Sequence, residues 1–210
     1  MATKCGQLFR AGFAVVAVAA FWTCASAPVL AQASVPGKDE LQINDQPGYQ
    51  PTPEDEELAD VYQRQEVFFR TNEAPGTVVI HTDERYLYVV QGSNRALRYA
   101  IRVGREGFQW SGLVKISRKQ EWPDWRPPPE MIERQPYLPR FMAGGPGNPL
   151  GARALYLGQT VYRIHGTNQP QTIGHAVSSG CFGLINEDVI DLYDRVPLGT
   201  KVIIKQGATL

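Results

Sequence analysis

From Thr77 onward the apolar residues recur with period two, the pattern of strands that bury one face. Val78 and Ile80 alternate with Val79 and His81, and Leu87 and Val89 alternate with Tyr86, Tyr88 and Val90. Leu97, Tyr99, Ile101 and Val103 share a face, with Arg98 and Arg102 on the other. Asp83-Glu84 and Gly92-Ser93-Asn94 supply turn chemistry between these runs. The pattern predicts a three-stranded antiparallel meander with one wetted face. His81 then falls on an edge-like strand as a surface residue. Residues 113–117, 154–157, 161–165 and 201–204 read as further short strands. The class is mainly β, and no internal repeat is evident.

Helical spacing appears twice. Leu58, Val61, Tyr62, Gln65 and Phe69 follow the acidic run Glu54-Asp55-Glu56-Glu57 and predict a short amphipathic helix with a linker over 58–74. A second, clearer helix begins with Asn186 as N-cap, carries Glu187 and Asp188 in its first turn, and buries Val189, Leu192 and Tyr193. Residues 122–151 fit neither period. Pro127-Pro128-Pro129, Gly144-Gly145 and Asn148-Pro149-Leu150-Gly151 mark a long irregular excursion, which in a compact domain is more often a functional loop than filler. Residues 34–57, with Pro36, Pro47, Pro51 and Pro53, read as a flexible tether. A domain over 75–206 remains.

The first residues change the compartment. Lys4 and Arg10 precede an apolar stretch from Ala11 to Leu30, and Ala31-Gln32-Ala33 closes it, with no acidic residue before. This is the n-region, h-region and small-residue cleavage site of a Sec-type signal peptide spanning 1–33. An uncleaved anchor is the rival reading, which Thr23, Ser26 and Pro28 weaken. Cleavage leaves no stable membrane span. It also removes Cys5 and Cys24, so that Cys181 is the one thiol of an exported, slightly acidic chain. Over all 210 residues 21 Lys+Arg balance 21 Asp+Glu. With no basic run, nucleic acid is not an expected partner.

An unpaired thiol in a disulfide-forming compartment needs a reason, although it can also be a small buried hydrophobe. His165-Gly166 ends a strand, and Ser178-Ser179-Gly180-Cys181 precedes a helix. A thiol with a reference pKa near 8.5 is a weak nucleophile at neutral pH, and a neighbouring imidazole can take its proton. The loop between them lets the two side chains meet. Ser179 and Gly180 are small enough to bring backbone N–H groups to a developing oxyanion, and the Gly166 carbonyl could orient the imidazole. His175 is a rival base. Zinc on His165, His175 and Cys181 is formally open but lacks any closely spaced ligand pair.

The stretch YRIHGTNQPQTIGHAVSSGCFGLINEDVIDLYDRVPLGTKVII, with EWPDWRPPPEM, GGPGNPLGARALYLG and GFQWSG upstream, closely resembles the L,D-transpeptidase (YkuD-type) catalytic domain over about 77–205. The resemblance implies a β-sandwich-like fold with one short helix after the catalytic cysteine. It also implies a periplasmic place and peptidoglycan stem peptides as partners, with no metal or organic cofactor. Cys181 would be the nucleophile, His165 the base, and the backbone of Gly180 and Cys181 part of an oxyanion hole. The chain departs from the family pattern twice. Ser179 stands where the motif has His, and Gly183 stands where it has Arg two residues after the cysteine. A lost guanidinium removes a bidentate carboxylate partner. Arg163, on the strand face of His165, is the candidate to reach the site instead. The acyl acceptor is open: a second stem peptide, an envelope protein, a D-amino acid or water. Water would make the protein a hydrolase, and a non-catalytic peptidoglycan-binding module is the remaining alternative.

Overall fold

The computed structural model describes residues 47–207, and the signal peptide expected over 1–33 lies outside them. The meander forms as its alternation requires. β2 (Val78–His81), β3 (Tyr86–Gly92) and β4 (Arg95–Ala100) pair antiparallel in chain order. Val78, Ile80, Leu87 and Tyr99 point into the main core, all fully buried.

The opposite face is not wetted. Val79, Tyr88, Val90 and Ala96 are buried there as a second cluster under Val67 and Phe69. Those two residues come from the segment expected to be helical. Only a 3₁₀ turn, Asp60–Tyr62, forms there, and Gln65–Phe68 is instead strand β1 on the free edge of β4. Helical spacing over 58–69 competed with a second pattern, Val67 and Phe69 inward and Phe68 outward. β-Branched and aromatic residues beside an unpaired edge favour the strand. His81 consequently sits at 5% exposure between Phe69 and Tyr88 instead of on the surface. Part of the expected tether is also laid down: Gly48 N–H donates to Gly147 O at 2.8 Å, and Asn168 Nδ2 donates to Tyr49 O at 3.1 Å.

The sheet continues beyond the meander through β11 (Lys201–Lys205), which is parallel to β2 on one side and antiparallel to β6 (Gly112–Glu121) on the other. β6 pairs with β11 through its first half and with β7 (Arg153–Leu157) through its second, with an irregularity between Ile116 and Arg118. β8 (Arg163–His165) and β10 (Phe182–Gly183) complete the order β1-β4-β3-β2-β11-β6-β7-β8-β10. A small second sheet pairs β5 (Val103–Gly104) with β9 (Ala176–Ser178). The nine-stranded ladder is open at both edges, so the expected sandwich is not closed. One core nevertheless joins both halves, with Leu155, Leu157, Ile164 and Phe182 packed in the same cluster as Val78 and Ile80.

Among the described residues, two α-helices accompany the strands. α2 (Asn186–Arg195) follows the cysteine and buries Val189 and Leu192. Its N-cap is Ile185, one residue earlier than expected, because the Asn186 side chain is engaged elsewhere: its Oδ1 accepts from Ala152 N–H at 2.8 Å. α1 (Pro129–Arg134) is a short helix inside the Pro/Gly-rich excursion. Pro129 suits its first position, where no backbone donor is needed. Among the described residues, no helix is long and apolar enough to cross a membrane.

Candidate active site

Two strands of two and three residues build the site. β10 runs parallel to β8, with Phe182 opposite Ile164 and Gly183 opposite His165. Phe182 and Ile164 turn into the core at 1% and 0% exposure. Side chains alternate across a strand, so Cys181 and Gly183 share the opposite face with Arg163 and His165. A third segment joins them. Arg102 and Gly183 exchange both backbone hydrogen bonds as an isolated antiparallel bridge, 2.9 Å from Arg102 N–H and 3.1 Å from Gly183 N–H. Directly opposed residues of such a pair project to the same side. Cys181, His165, Arg163 and Arg102 thus line one cavity, together with Ser178 and Ser179.

The turn before Cys181 is tightly specified. Gly180 has φ +103°, a left-handed conformation, and a Cβ there would lie 2.5 Å from the Tyr162 ring and 3.0 Å from Phe108 O. Trp110 stacks on Tyr162 with ring centres 4.7 Å apart, and its indole N–H donates to Gly180 O at 3.0 Å. Ser178 Oγ donates to Cys181 O at 2.6 Å and accepts from Gly180 N–H at 3.2 Å. The Gly180 N–H, expected to face an oxyanion, is therefore already engaged. Ser179 Oγ is buried and makes no hydrogen bond.

His165 is 3% exposed, and its Nδ1 lies 2.5 Å from Gly166 O. A carbonyl only accepts, so this contact places the proton on Nδ1 and leaves Nε2 as the basic nitrogen. Burial pushes the imidazole pKa well below its ordinary value, and the Arg102 and Arg163 charges push it further, against the Gly166 contact. The ring is neutral at neutral pH. Gly166 is held by close packing, since a Cβ there would meet Asn186 Oδ1 at 2.5 Å and Ala152 N at 2.9 Å. Asn186 thereby ties the start of α2 to the turn that orients His165. The rival base, His175, is exposed and is not among the cavity residues.

The excursion over 122–151 forms the opposite wall. Trp125, Met131, Leu138 and Leu150 make a small core of their own. Asn148, 1% exposed, donates through Nδ2 to Pro123 O, Met142 O and Ala143 O and accepts from Leu150 N–H at 2.9 Å. Trp125, Arg126, Met131 and Leu150 from this wall face the cysteine and histidine across an open cavity of about 90 Å³. Arg163 lines the cavity as expected, with its guanidinium donating to Val161 O at 3.1 Å. Among the described residues, no group of three or more His, Cys, Asp or Glu side chains is placed to hold a metal ion. Arg102 is the residue the sequence reading missed. Alternation placed it opposite Ile101 and Val103, but its bridge to Gly183 joins segments 81 residues apart and leaves no local trace.

A catalytic-domain family model, YkuD (L,D-transpeptidase catalytic domain), matches residues 75–204. The probable L,D-transpeptidase ErfK/SrfK of Escherichia coli (strain K12) is 40% identical over 133 residues, 60% of this chain and 43% of that protein. YbiS of the same strain, another probable L,D-transpeptidase, is 38% identical over 136 residues with the same coverage. The chain therefore spans less than half the length of these relatives. Among solved structures, the Ldtfm–avibactam carbamoyl enzyme matches with TM-score 0.50 and 16% identity, over 63% of this chain and 49% of that one, a likeness of fold. The cavity shared by Cys181 and His165 and the family match over residues 75–204 lead to one assignment: the chain belongs to the L,D-transpeptidase (YkuD) catalytic domain family.

Proposed function

We propose that the protein is a periplasmic peptidoglycan L,D-transpeptidase. The observation that carries this reading is that Cys181, just before β10, and the buried His165 of β8 line one open cavity. His165 Nε2 takes the Sγ proton as sulfur attacks the amide carbon between a diamino acid and the terminal D-residue of a stem tetrapeptide. Negative charge develops on the carbonyl oxygen, where the Cys181 N–H and the unpaired Ser179 hydroxyl can donate to it. The imidazolium, disfavoured by burial and two arginines, passes its proton to the departing amine, and the C–N bond breaks. The D-residue leaves, and the stem peptide remains as a Cys181 thioester. An acceptor amine then attacks the thioester carbon, His165 removes its proton, and a new amide forms with Cys181 regenerated. A second stem peptide as acceptor gives a cross-link, and an envelope protein as acceptor gives anchoring to the wall.

The test is intact-mass analysis after incubation with a carbapenem, a β-lactam that can acylate such a cysteine. The expected result is one adduct, absent in Cys181→Ala. A folded protein with a free thiol and no adduct would overturn the reading. Products from a stem tetrapeptide then separate transfer, which gives a joined peptide, from hydrolysis, which gives free tripeptide.

A further inference from the structure

Gly183 departs from the family pattern by lacking a side chain at the position where an arginine is expected. The space above it is not empty. A Cβ on Gly183 would lie 2.7 Å from Arg102 Cγ and 2.9 Å from Arg102 Cδ, and nearer still to Nε. The stem of Arg102 thus occupies the volume that a side chain at 183 would fill. The two residues are directly opposed in an antiparallel bridge, and both backbone hydrogen bonds of the pair are made. A side chain from either member projects to the same side of the ladder. An arginine on either strand therefore delivers a guanidinium to the same face, and two side chains cannot share it. Arg102 is 3% exposed, yet it is a wall of the cavity that holds Cys181 and His165.

We propose that Arg102 supplies, from the neighbouring segment, the carboxylate-binding guanidinium of the donor site, and that Gly183 is the glycine that makes room for it. The proposal rests on the stem-peptide reading above and deepens it. A guanidinium is a planar, permanently charged fork that matches a carboxylate bidentately. The donor offers such a group on its terminal D-residue, beside the scissile amide, and a second on the diamino acid when that residue is diaminopimelate. Arg163 lines the same cavity from β8, where its guanidinium donates to the Val161 carbonyl, and it does not occupy the volume above Gly183.

The experiment compares wild type, Arg102→Gly, Gly183→Arg and the double variant Arg102→Gly/Gly183→Arg. The readout is kcat/KM for D-residue release from a stem tetrapeptide, from the same peptide with a terminal carboxamide, and from one with lysine in place of diaminopimelate. Wild type should prefer the carboxylate that Arg102 holds, and Arg102→Gly should lose that preference together with roughly 10- to 100-fold in kcat/KM. Gly183→Arg alone crowds Arg102 and should be impaired. The double variant should recover both rate and preference, which a purely structural role for Arg102 would not produce. Arg102→Gln keeps most of the buried stem and should also lose the preference. Unchanged kcat/KM and preference in Arg102→Gly, or a folded double variant no better than Arg102→Gly, would overturn the proposal. Calorimetric binding of the tetrapeptide in a Cys181→Ala background separates the two readings. Arg102-dependent binding by a protein that releases no D-residue would sink the acyl-transfer reading alone, and binding that ignores Arg102 would sink this one.

Discussion

The meander β2–β4 and the site around β8 and β10 are built from the same chain by opposite means. The meander uses strands of four to seven residues, local turns and an almost wholly apolar inner face. The site uses strands of two and three residues, glycines at crowded turns, and buried Arg102, His165, Asn148 and Ser178. Regular alternation makes the first region stable without specifying chemistry. The second buries polar groups, each of which must be satisfied by a particular partner, so its geometry is fixed by hydrogen bonds more than by apolar area. Activity should therefore fail through changes that barely touch stability, and stability through changes that barely touch activity.

The sharpest separation comes from Cys181→Ala, which should abolish acyl-enzyme formation while changing the unfolding free energy by less than about 0.5 kcal/mol. Intact mass and a urea melt on the same preparation check both halves. Leu87→Ala lies at the other pole. It empties a fully buried meander position and should cost about 2–5 kcal/mol of stability, with kcat/KM per folded molecule unchanged. Asn148→Ala should fall between the two. Its amide satisfies three carbonyls of the cavity wall, so a loss of about 1–3 kcal/mol should come with a raised KM and little change in kcat.

Proton linkage gives the smaller effects, and their signs differ between two groups. His165 has a depressed pKa, so the neutral base persists as pH falls, and the acid limb of kcat/KM should lie below the ordinary histidine value of about 6.5. The unfolded chain takes up that proton first, so this group contributes stability above about pH 6.5 that is lost as pH falls. Asp188 behaves oppositely. Burial raises its pKa to about 6, although Arg64 lies 3.2 Å away and the Arg64 charge pulls the other way. Its contribution is complete below the unfolded value of about 3.9 and is lost as pH rises through about 6. Asp188→Asn should consequently gain about 2 kcal/mol relative to wild type at pH 8 compared with pH 4, read from urea melts at both. Equal differences at the two pH values would remove burial as the dominant cause.

The same contrast governs what could be read from the residues. Alternation reports which face of a strand is buried, so Val78, Ile80, Leu87 and Tyr99 were legible, as was the stripe of α2. It does not report what covers the other face. The placement of Val67 and Phe69 over Tyr88, and with it β1, depends on an edge that only the assembled sheet offers. That Cys181 and His165 would meet in one cavity was legible because chemistry restricts which residue types can serve as nucleophile and base. The engagement of Gly180 N–H by Ser178 was not, since it depends on a turn conformation. Arg102 was hidden for the most physical reason: its relation to Gly183 exists only across a bridge between distant segments.

The position of β11 bears on how the molecule is made. This strand, residues 201–205, lies in the middle of the nine-stranded order and, among the described residues, is the strand that links β2 to β6. Without it, β1-β4-β3-β2 and β6-β7-β8-β10 are two separate runs of the ladder, each with an unpaired edge. Its pairing with β2 closes a loop of more than a hundred residues, a non-local contact whose entropy is lost before any gain is realised. A chain made N-terminus first therefore lacks the strand that joins the two runs until residues 201–205 are available. The cavity lined by Cys181 and His165 is then completed together with the rest of the sheet.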